Sequence, residues 1–600
     1  MTLSDIPFTL SGIRAAYAAG ATPADVIAEV YRRIDAVGDP GIFLHLPPLT
    51  EALAAAGAIG PDDGRPLWGI PFAVKDNIDV AGMPTTSACP AVSRIAEADA
   101  FVVARLKAAG AIVVGKTNLD QFATGLVGVR TPHPAPKNSV DPTIVPGGSS
   151  SGSAVAVGHA IVPFSLGTDT AGSGRVPAAL NNIVGLKPSL GALSAGGMMP
   201  ACRTIDTISI FALTVADAHT VFRAAAAFDP ADAYSRPVAT PEPAAPPVPR
   251  IGIPDAASIE FFGDDVQAEN FAATVASLEA EGAVLVPFDL TPFTQIAEML
   301  YYGAFVAERH TVLEPLLATQ PDAVHPVTRK VVEKALRFTA TDAFRDIYRL
   351  AELKRAVEPV LASVDALCVP TIPTFYTVAD LHADPIGPNS RLGTYTNFVN
   401  LIDMCGIAVP SLPRTDGRPG SVTFLAPHGR DALVAGLAAL VEQFGRRTLG
   451  ATAHPVPPPV AAAPSAASAG EIEIAVCGAH MSGMALNGEL TSRGGRFLRA
   501  VETVREYALF ALPGGPPMRP GMVRIGPNGG AIAVEVWALP LAEVGSFLDG
   551  IPAPLGLGTT RLADGTTPKG FVCEAVATAS AQDVTSYGSW RAFTAARLAS

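Results

Sequence analysis

The sequence predicts an α/β fold, a sheet with helices on both faces, followed by a smaller α+β domain. Three observations carry this expectation. Short apolar runs alternate with segments whose apolar residues recur at helical spacing through residues 1–450. A stretch at 451–470 holds Pro455, Pro457, Pro458, Pro459 and Pro464 among alanines and serines. Such a segment cannot bury a core and reads as a semi-rigid linker. Beyond it, 471–600 is about one domain long and carries alternating strand patterns between Gly/Pro turns.

The elements follow in order. Residues 22–37 read as a helix, with Thr22 as its N-cap and Pro23 at the first helical position. Residues 67–74 form an apolar strand that delivers Lys75. A helix over 99–110, capped by Asp99, precedes a short buried strand at 111–115. Residues 153–160 form a small-residue helix behind a Gly/Ser turn, and 161–166 the next strand. The Pro/Ala-rich segment 237–249 reads as an extended surface connection before a strand at 250–254. Helical patterns cover 292 to about 317 and 342–364, a strand 366–370 and a last helix 431–447. In the second domain, 472–476, 507–512 and 531–538 read as strands.

Composition narrows the function classes. Hydrophobic residues make up 49% of the 600, and the net charge is −13. The chain can bury a large core, and its acidity argues against nucleic acid or an anionic membrane as partner. Cys89, Cys202, Cys368, Cys405, Cys477 and Cys573 are scattered, without a CxxC pair. Neither a zinc site nor a disulfide framework is expected, and no metal or cofactor is called for. Residues 1–14 lack a secretory pattern and no apolar run is long enough to span a bilayer. A cytoplasmic protein is the expectation.

The chemistry concentrates between Gly147 and Pro188. Gly147-Gly148-Ser149-Ser150-Ser151-Gly152-Ser153 and Gly167-Thr168-Asp169-Thr170-Ala171-Gly172-Ser173-Gly174-Arg175 bracket an Ala/Val segment. Glycines let backbone N–H groups approach a ligand, and serines supply nucleophiles. A histidine base is poorly supported here, since His159 sits on the small-residue helix as a packing residue. Lysine is the better base. It must be neutral to accept a proton, and burial after an apolar strand lowers its pKa from about 10.4. The competing reading of Lys75 is an ordinary lysine paired with Asp76. Ser150 and Ser151 read equally as turn residues, and Ser153 as a capping residue.

This pattern, with Phe72 to Gly82 upstream, resembles the amidase signature family of Ser–Ser–Lys hydrolases, and the resemblance covers 23–449. It implies a mixed central sheet flanked by helices. It implies Lys75 as base, Ser149 as bridging serine behind a cis peptide bond, and Ser173 as nucleophile. The oxyanion hole would come from backbone N–H groups of Thr170, Ala171, Gly172 and Ser173.

Within that family, Gly115 to Gly128, Gly167 to Pro177, Pro200 to Asp206 and Leu300 to Arg309 are similar to the allophanate hydrolases. The resemblance makes Tyr301 and Arg309 the substrate-binding pair. Allophanate carries a carboxylate, which a guanidinium can hold through two charged hydrogen bonds. The residues are eight apart, near two helical turns, so both can face one pocket. The competing reading pairs Arg309 with a neighbouring acid and leaves Tyr301 in the core. Val476 to Asn487 is similar to the start of the allophanate hydrolase C-terminal domain, which implies a γ-glutamyl-cyclotransferase-like fold. There His480 would promote decarboxylation, or the domain would serve assembly alone. The resemblance further implies a homodimer fed by a urea carboxylase or by cyanurate-pathway enzymes. The alternatives are a general amidase for small neutral amides, or a binding or ammonia-delivering subunit.

Overall fold

The computed structural model describes residues 2–445, 447–458 and 465–598. They divide into two compact units, one of described residues within 2–240, 252–280 and 286–458, the other of described residues within 241–251, 281–285 and 465–598.

The first unit is built on an eleven-stranded sheet. Its strands are β1 (Phe43–His45), β2 (Pro71–Lys75), β3 (Ile112–Thr117), β4 (Phe164–Asp169), β5 (Val184–Lys187), β6 (Thr207–Ala212), β7 (Arg250–Pro254), β8 (Val284–Phe288), β9 (Ala366–Pro370), β10 (Met404–Pro410) and β11 (Ser421–Pro427). Their spatial order is β1-β3-β2-β4-β6-β5-β10-β11-β9-β7-β8. The sheet is mixed: β2 runs parallel to β3 and β4, while β4 and β5 pair antiparallel with β6. Strands β2, β3, β4 and β6 are buried along their whole length, as strands covered on both faces are. Lys75 and Asp169 close the carboxyl ends of β2 and β4, next to each other in the sheet.

The second unit is α+β. Strands β12 (Glu471–Val476), β13 (Arg496–Glu502), β14 (Tyr507–Ala511), β15 (Pro520–Arg524), β16 (Ala533–Pro540), β17 (Leu555–Thr559), β18 (Lys569–Cys573) and β19 (Gln582–Asp583) make two sheets. One has the order β13-β16-β12-β18-β17 and the other β15-β14-β19. Trp537, Trp590, Phe547 and Leu539 lie in its core.

Several sequence expectations need correction. The helix expected at 99–110 is Phe101–Ala108. Asp99 does not cap it; its carboxylate accepts from the Ala81 N–H at 2.9 Å and from Lys107 Nζ at 2.8 Å. The small-residue helix is Ser151–Gly158. Ser153 therefore lies inside it rather than at its cap, and its Oγ donates to the Leu166 carbonyl at 2.9 Å. The strand expected at 161–166 is Phe164–Asp169. The pattern from 292 to 317 is two helices, Thr291–Tyr302 and Val306–Thr319, broken at Gly303. A Cβ at Gly303 would press on Asp346 Oδ2 at 2.6 Å, the oxygen that accepts from the Ala304 N–H at 2.5 Å. The segment 241–249 is more than a surface connection. Ala244 packs against the second core, and the Val248 N–H donates to Ser482 Oγ at 3.2 Å. Of the linker expected at 451–470, residues 459–464 lie outside the described residues.

Candidate active site

Strand β2 carries Lys75 into the interior, where the side chain has no exposure. Its Nζ donates to Ser149 Oγ at 2.7 Å, Ser150 Oγ at 2.9 Å and Thr168 Oγ1 at 2.6 Å. No carboxylate reaches it among the described residues. Asp76, the neighbour that could have paired with it, faces Lys116 at 3.5 Å and accepts from the Thr86 N–H at 3.0 Å. Burial drives the Lys75 pKa down to about 7, with the more distant carboxylates of Asp120, Asp206 and Asp169 opposing the shift in part. An ammonium surrounded only by hydroxyls gives up its proton far more readily than one held by a carboxylate.

Ser149 follows a cis peptide bond from Gly148. Asp120 holds this turn: its own N–H donates to the Ser149 carbonyl at 2.9 Å. Its carboxylate accepts from the N–H groups of Gly128 at 2.9 Å and Arg130 at 2.8 Å. A Cβ at Gly148 would collide with Asp120 Oδ2, so only glycine fits there.

Ser173 sits in the turn after β4, 3% exposed. Its Oγ lies 3.5 Å from the Gly125 carbonyl, at the outer limit of a hydrogen bond, and no hydrogen bond joins it to Ser149. Nucleophile–base hydrogen bonds are commonly long before substrate arrives. Asp169 shapes the turn. It accepts from the Gly172 N–H at 2.9 Å and the Gly174 N–H at 3.0 Å, and pairs with Arg175 at 2.9 Å with neither side chain exposed. The Gly172 N–H is thereby engaged by Asp169, whereas the N–H groups of Thr170, Ala171 and Ser173 have no acceptor among the described residues. Thr170 Oγ1 donates to Asp206, whose carboxyl is pushed up to about 6 by burial.

Tyr301 and Arg309 stand on the two successive helices, across the break at Gly303, rather than on one. They meet all the same: an Arg309 Nη donates to the Tyr301 hydroxyl oxygen at 3.0 Å. The other Nη donates to Thr124 Oγ1 at 3.2 Å and the Ala123 carbonyl at 3.3 Å, one residue from the Gly125 carbonyl beside Ser173. Arg309 is 2% exposed and has no carboxylate partner among the described residues, and its Nε is unbonded. Glu308, the adjacent acid, is occupied by the Thr204 N–H at 2.6 Å and hydroxyl at 2.7 Å.

In the second unit, His480 lines a cavity of about 90 Å³ with Glu489, Arg519 and apolar residues. Its Nε2 lies 3.1 Å from Glu489 Oε2, and the ring stacks on Phe571 with centroids 4.8 Å apart. Burial holds its pKa below the usual histidine value. Behind it, the fully buried Glu535 accepts from the Ser482 N–H at 2.7 Å and pairs with Arg591 at 2.6 Å, which fixes the chain just after His480.

Residues 25–435 match the amidase family model. The chain belongs to the amidase family. Residues 472–595 match a second model, the allophanate hydrolase C-terminal domain. Among relatives, the urea amidolyases of Saccharomyces cerevisiae and Lachancea kluyveri are 41% and 40% identical over 543 residues, 88% of this chain. The chain spans about 30% of the length of these two relatives. Among solved structures, a selenomethionine-substituted allophanate hydrolase of Kluyveromyces lactis superposes with a TM-score of 0.80 at 35% identity, covering 99% of this chain and 100% of that one. The amidase fold accordingly brings Lys75, Ser149 and Ser173, far apart in sequence, to one end of neighbouring strands.

Sequence reasoning missed the supports of this site. Thr168 and Ser150 hold Lys75, Asp120 and Asp169 shape the two turns, and Asn400 ties the Asp169 carbonyl (2.9 Å) to the Ile205 carbonyl (2.8 Å). The signal for Asp169 and Arg175 was present, as opposite charges inside an otherwise uncharged Gly/Ser run.

Proposed function

We propose that this amidase hydrolyses allophanate, releasing ammonia and carbon dioxide. The observation that carries the substrate assignment is Arg309. It is a buried guanidinium with no carboxylate ion pair among the described residues, beside the 123–125 segment that also flanks Ser173. An unpaired buried cation is costly, so an anionic substrate that completes the pair is its natural partner.

Ser173 is the nucleophile. As its Oγ attacks the terminal carboxamide carbon, its proton passes to Ser149, and Ser149 passes one to neutral Lys75. The N–H groups of Thr170, Ala171 and Ser173 are available to the oxyanion, while Gly172 serves the turn through Asp169. The proton then returns along the relay to the leaving nitrogen, and ammonia departs. Water attacks the acyl-enzyme by the same relay and frees N-carboxycarbamate. Tyr301 and Arg309 hold the substrate carboxylate throughout. His480, in the second unit, promotes loss of carbon dioxide from N-carboxycarbamate as proton donor.

The enzyme acts as a cytoplasmic homodimer, supplied with allophanate by a urea carboxylase or by cyanurate breakdown. The deciding experiment compares ammonia release from fresh allophanate, biuret, urea and simple amides. Turnover of acetamide-like compounds above that of allophanate would replace this reading with that of a general amidase. Sedimentation of the purified chain tests the dimer.

A further inference from the structure

The cavity beside His480 carries one cation that the fold does not use. Arg519 lines it, part-buried, immediately before β15. Among the described residues its side chain makes no hydrogen bond and no ion pair. Other part-buried arginines of the second unit are committed. Arg496 pairs with Glu471 at 2.6 Å, Arg499 with Glu473 at 2.9 Å and Arg591 with Glu535 at 2.6 Å. Glu489 is the acid in the cavity lining, and His480 engages it. The remaining walls, including Leu486, Ile551, Leu555 and Phe571, are apolar. A small cavity with an unpaired guanidinium, a histidine and an apolar lining suits a small anion that sheds charge while bound.

We propose that Arg519 is the carboxylate-binding residue of this second cavity, holding one carboxylate of N-carboxycarbamate while the other leaves as carbon dioxide. The inference rests on the reading that this cavity handles that intermediate. In the step, the bond between nitrogen and the departing carboxylate carbon breaks. Its electron pair stays on nitrogen, which takes a proton that the neutral His480 imidazole relays from solvent. One dianion and one proton thus give carbon dioxide and carbamate, and solvent reprotonates His480. Arg519 fixes the carboxylate that stays, so the departing one faces the apolar wall, where neutral carbon dioxide is favoured over an anion. Guanidinium suits this task because two parallel N–H donors fix the carboxylate plane, leaving the nitrogen at a set distance from His480.

The test uses the full chain and ¹³C-labelled allophanate at alkaline pH, where protonation of the nitrogen without an enzyme is slow. The first ammonia and the ¹³C signals of N-carboxycarbamate are followed together for Arg519→Gln, Arg519→Lys and His480→Ala. Arg519→Gln is expected to release the first ammonia at the unmodified rate and to slow decarboxylation about tenfold or more, as loss of a charged hydrogen-bonding partner does. Arg519→Lys should show a smaller defect of the same kind, and carries the test should Arg519→Gln fail to fold. Accumulation of the intermediate in His480→Ala but in neither Arg519 variant would overturn the role of Arg519 alone. No accumulation in any variant would overturn the underlying reading of the cavity, and this inference with it.

Discussion

At the scale of single residues, the decisive feature is a lysine whose burial among hydroxyls makes its proton easy to lose. Burial lowers the Lys75 pKa to about 7, and the proposed relay needs the unprotonated amine. The sign follows directly: kcat/KM should rise with pH through about 7 and level off above it. A profile flat across that range would remove Lys75 from the role of base. Ser173→Ala should abolish the acyl-enzyme and reduce turnover by several orders of magnitude, and Lys75→Ala nearly as much, because residues that act as a unit do not contribute additively. Mass spectrometry of the stalled enzyme and rapid-quench turnover measure both. Arg309→Gln should cost about 2–5 kcal/mol in kcat/KM for allophanate and much less for small neutral amides. Equal losses on both substrates would dismiss Arg309 as the carboxylate ligand. Lys75, Ser149 and Ser173, the base and serines of the proposed relay, could be singled out in the sequence because those roles need particular residue types in a glycine-rich setting. Thr168 and Ser150 were not. One hydroxyl in such a run looks like the next until packing brings it within 2.9 Å of Nζ.

At the scale of elements, two turns do the positioning, and each is locked by an aspartate. Asp169 bonds two backbone N–H groups and Arg175, all buried, so removing one partner strands the other's charge. Arg175→Met should cost about 3–5 kcal/mol of stability in the first unit, read by urea denaturation. A loss below about 1 kcal/mol would mean that water reaches the pair, as it does in exposed ones. The strands of the first sheet were legible where full burial on both faces favours apolar runs, as at 71–74 and 366–370. The break at Gly303 was not. Helical periodicity runs on through 292–317, and the carboxylate that takes the Ala304 N–H just past the break belongs to Asp346, far off in sequence. The same break changes the reason Tyr301 and Arg309 meet, from shared helix face to tertiary packing.

At the scale of the whole molecule, the chain divides its apolar residues between separate cores. The second includes Trp537, Trp590, Phe547 and Leu539, and it draws in Ala244 from the Pro/Ala-rich segment far upstream. That recruitment was invisible in the sequence, because proline-rich composition reports what a segment cannot do alone, not what it packs against. Two cores of this kind predict two calorimetric transitions rather than one. Trp537 offers a way to tell them apart. It is 2% exposed, meets the Phe497 ring edge-on at 5.6 Å, and its indole N–H donates to Glu535 Oε2 at 3.1 Å. Trp537→Ala removes a large buried ring and one partner of Glu535, and should lower the stability of the second unit by about 3–5 kcal/mol. In scanning calorimetry one transition should move to lower temperature while the other stays. Release of the first ammonia, which the proposed mechanism assigns to Lys75, Ser149 and Ser173 in the first unit, should persist at temperatures between the two transitions. A single transition that shifts as a whole, with ammonia release lost alongside it, would show that the two units unfold as one.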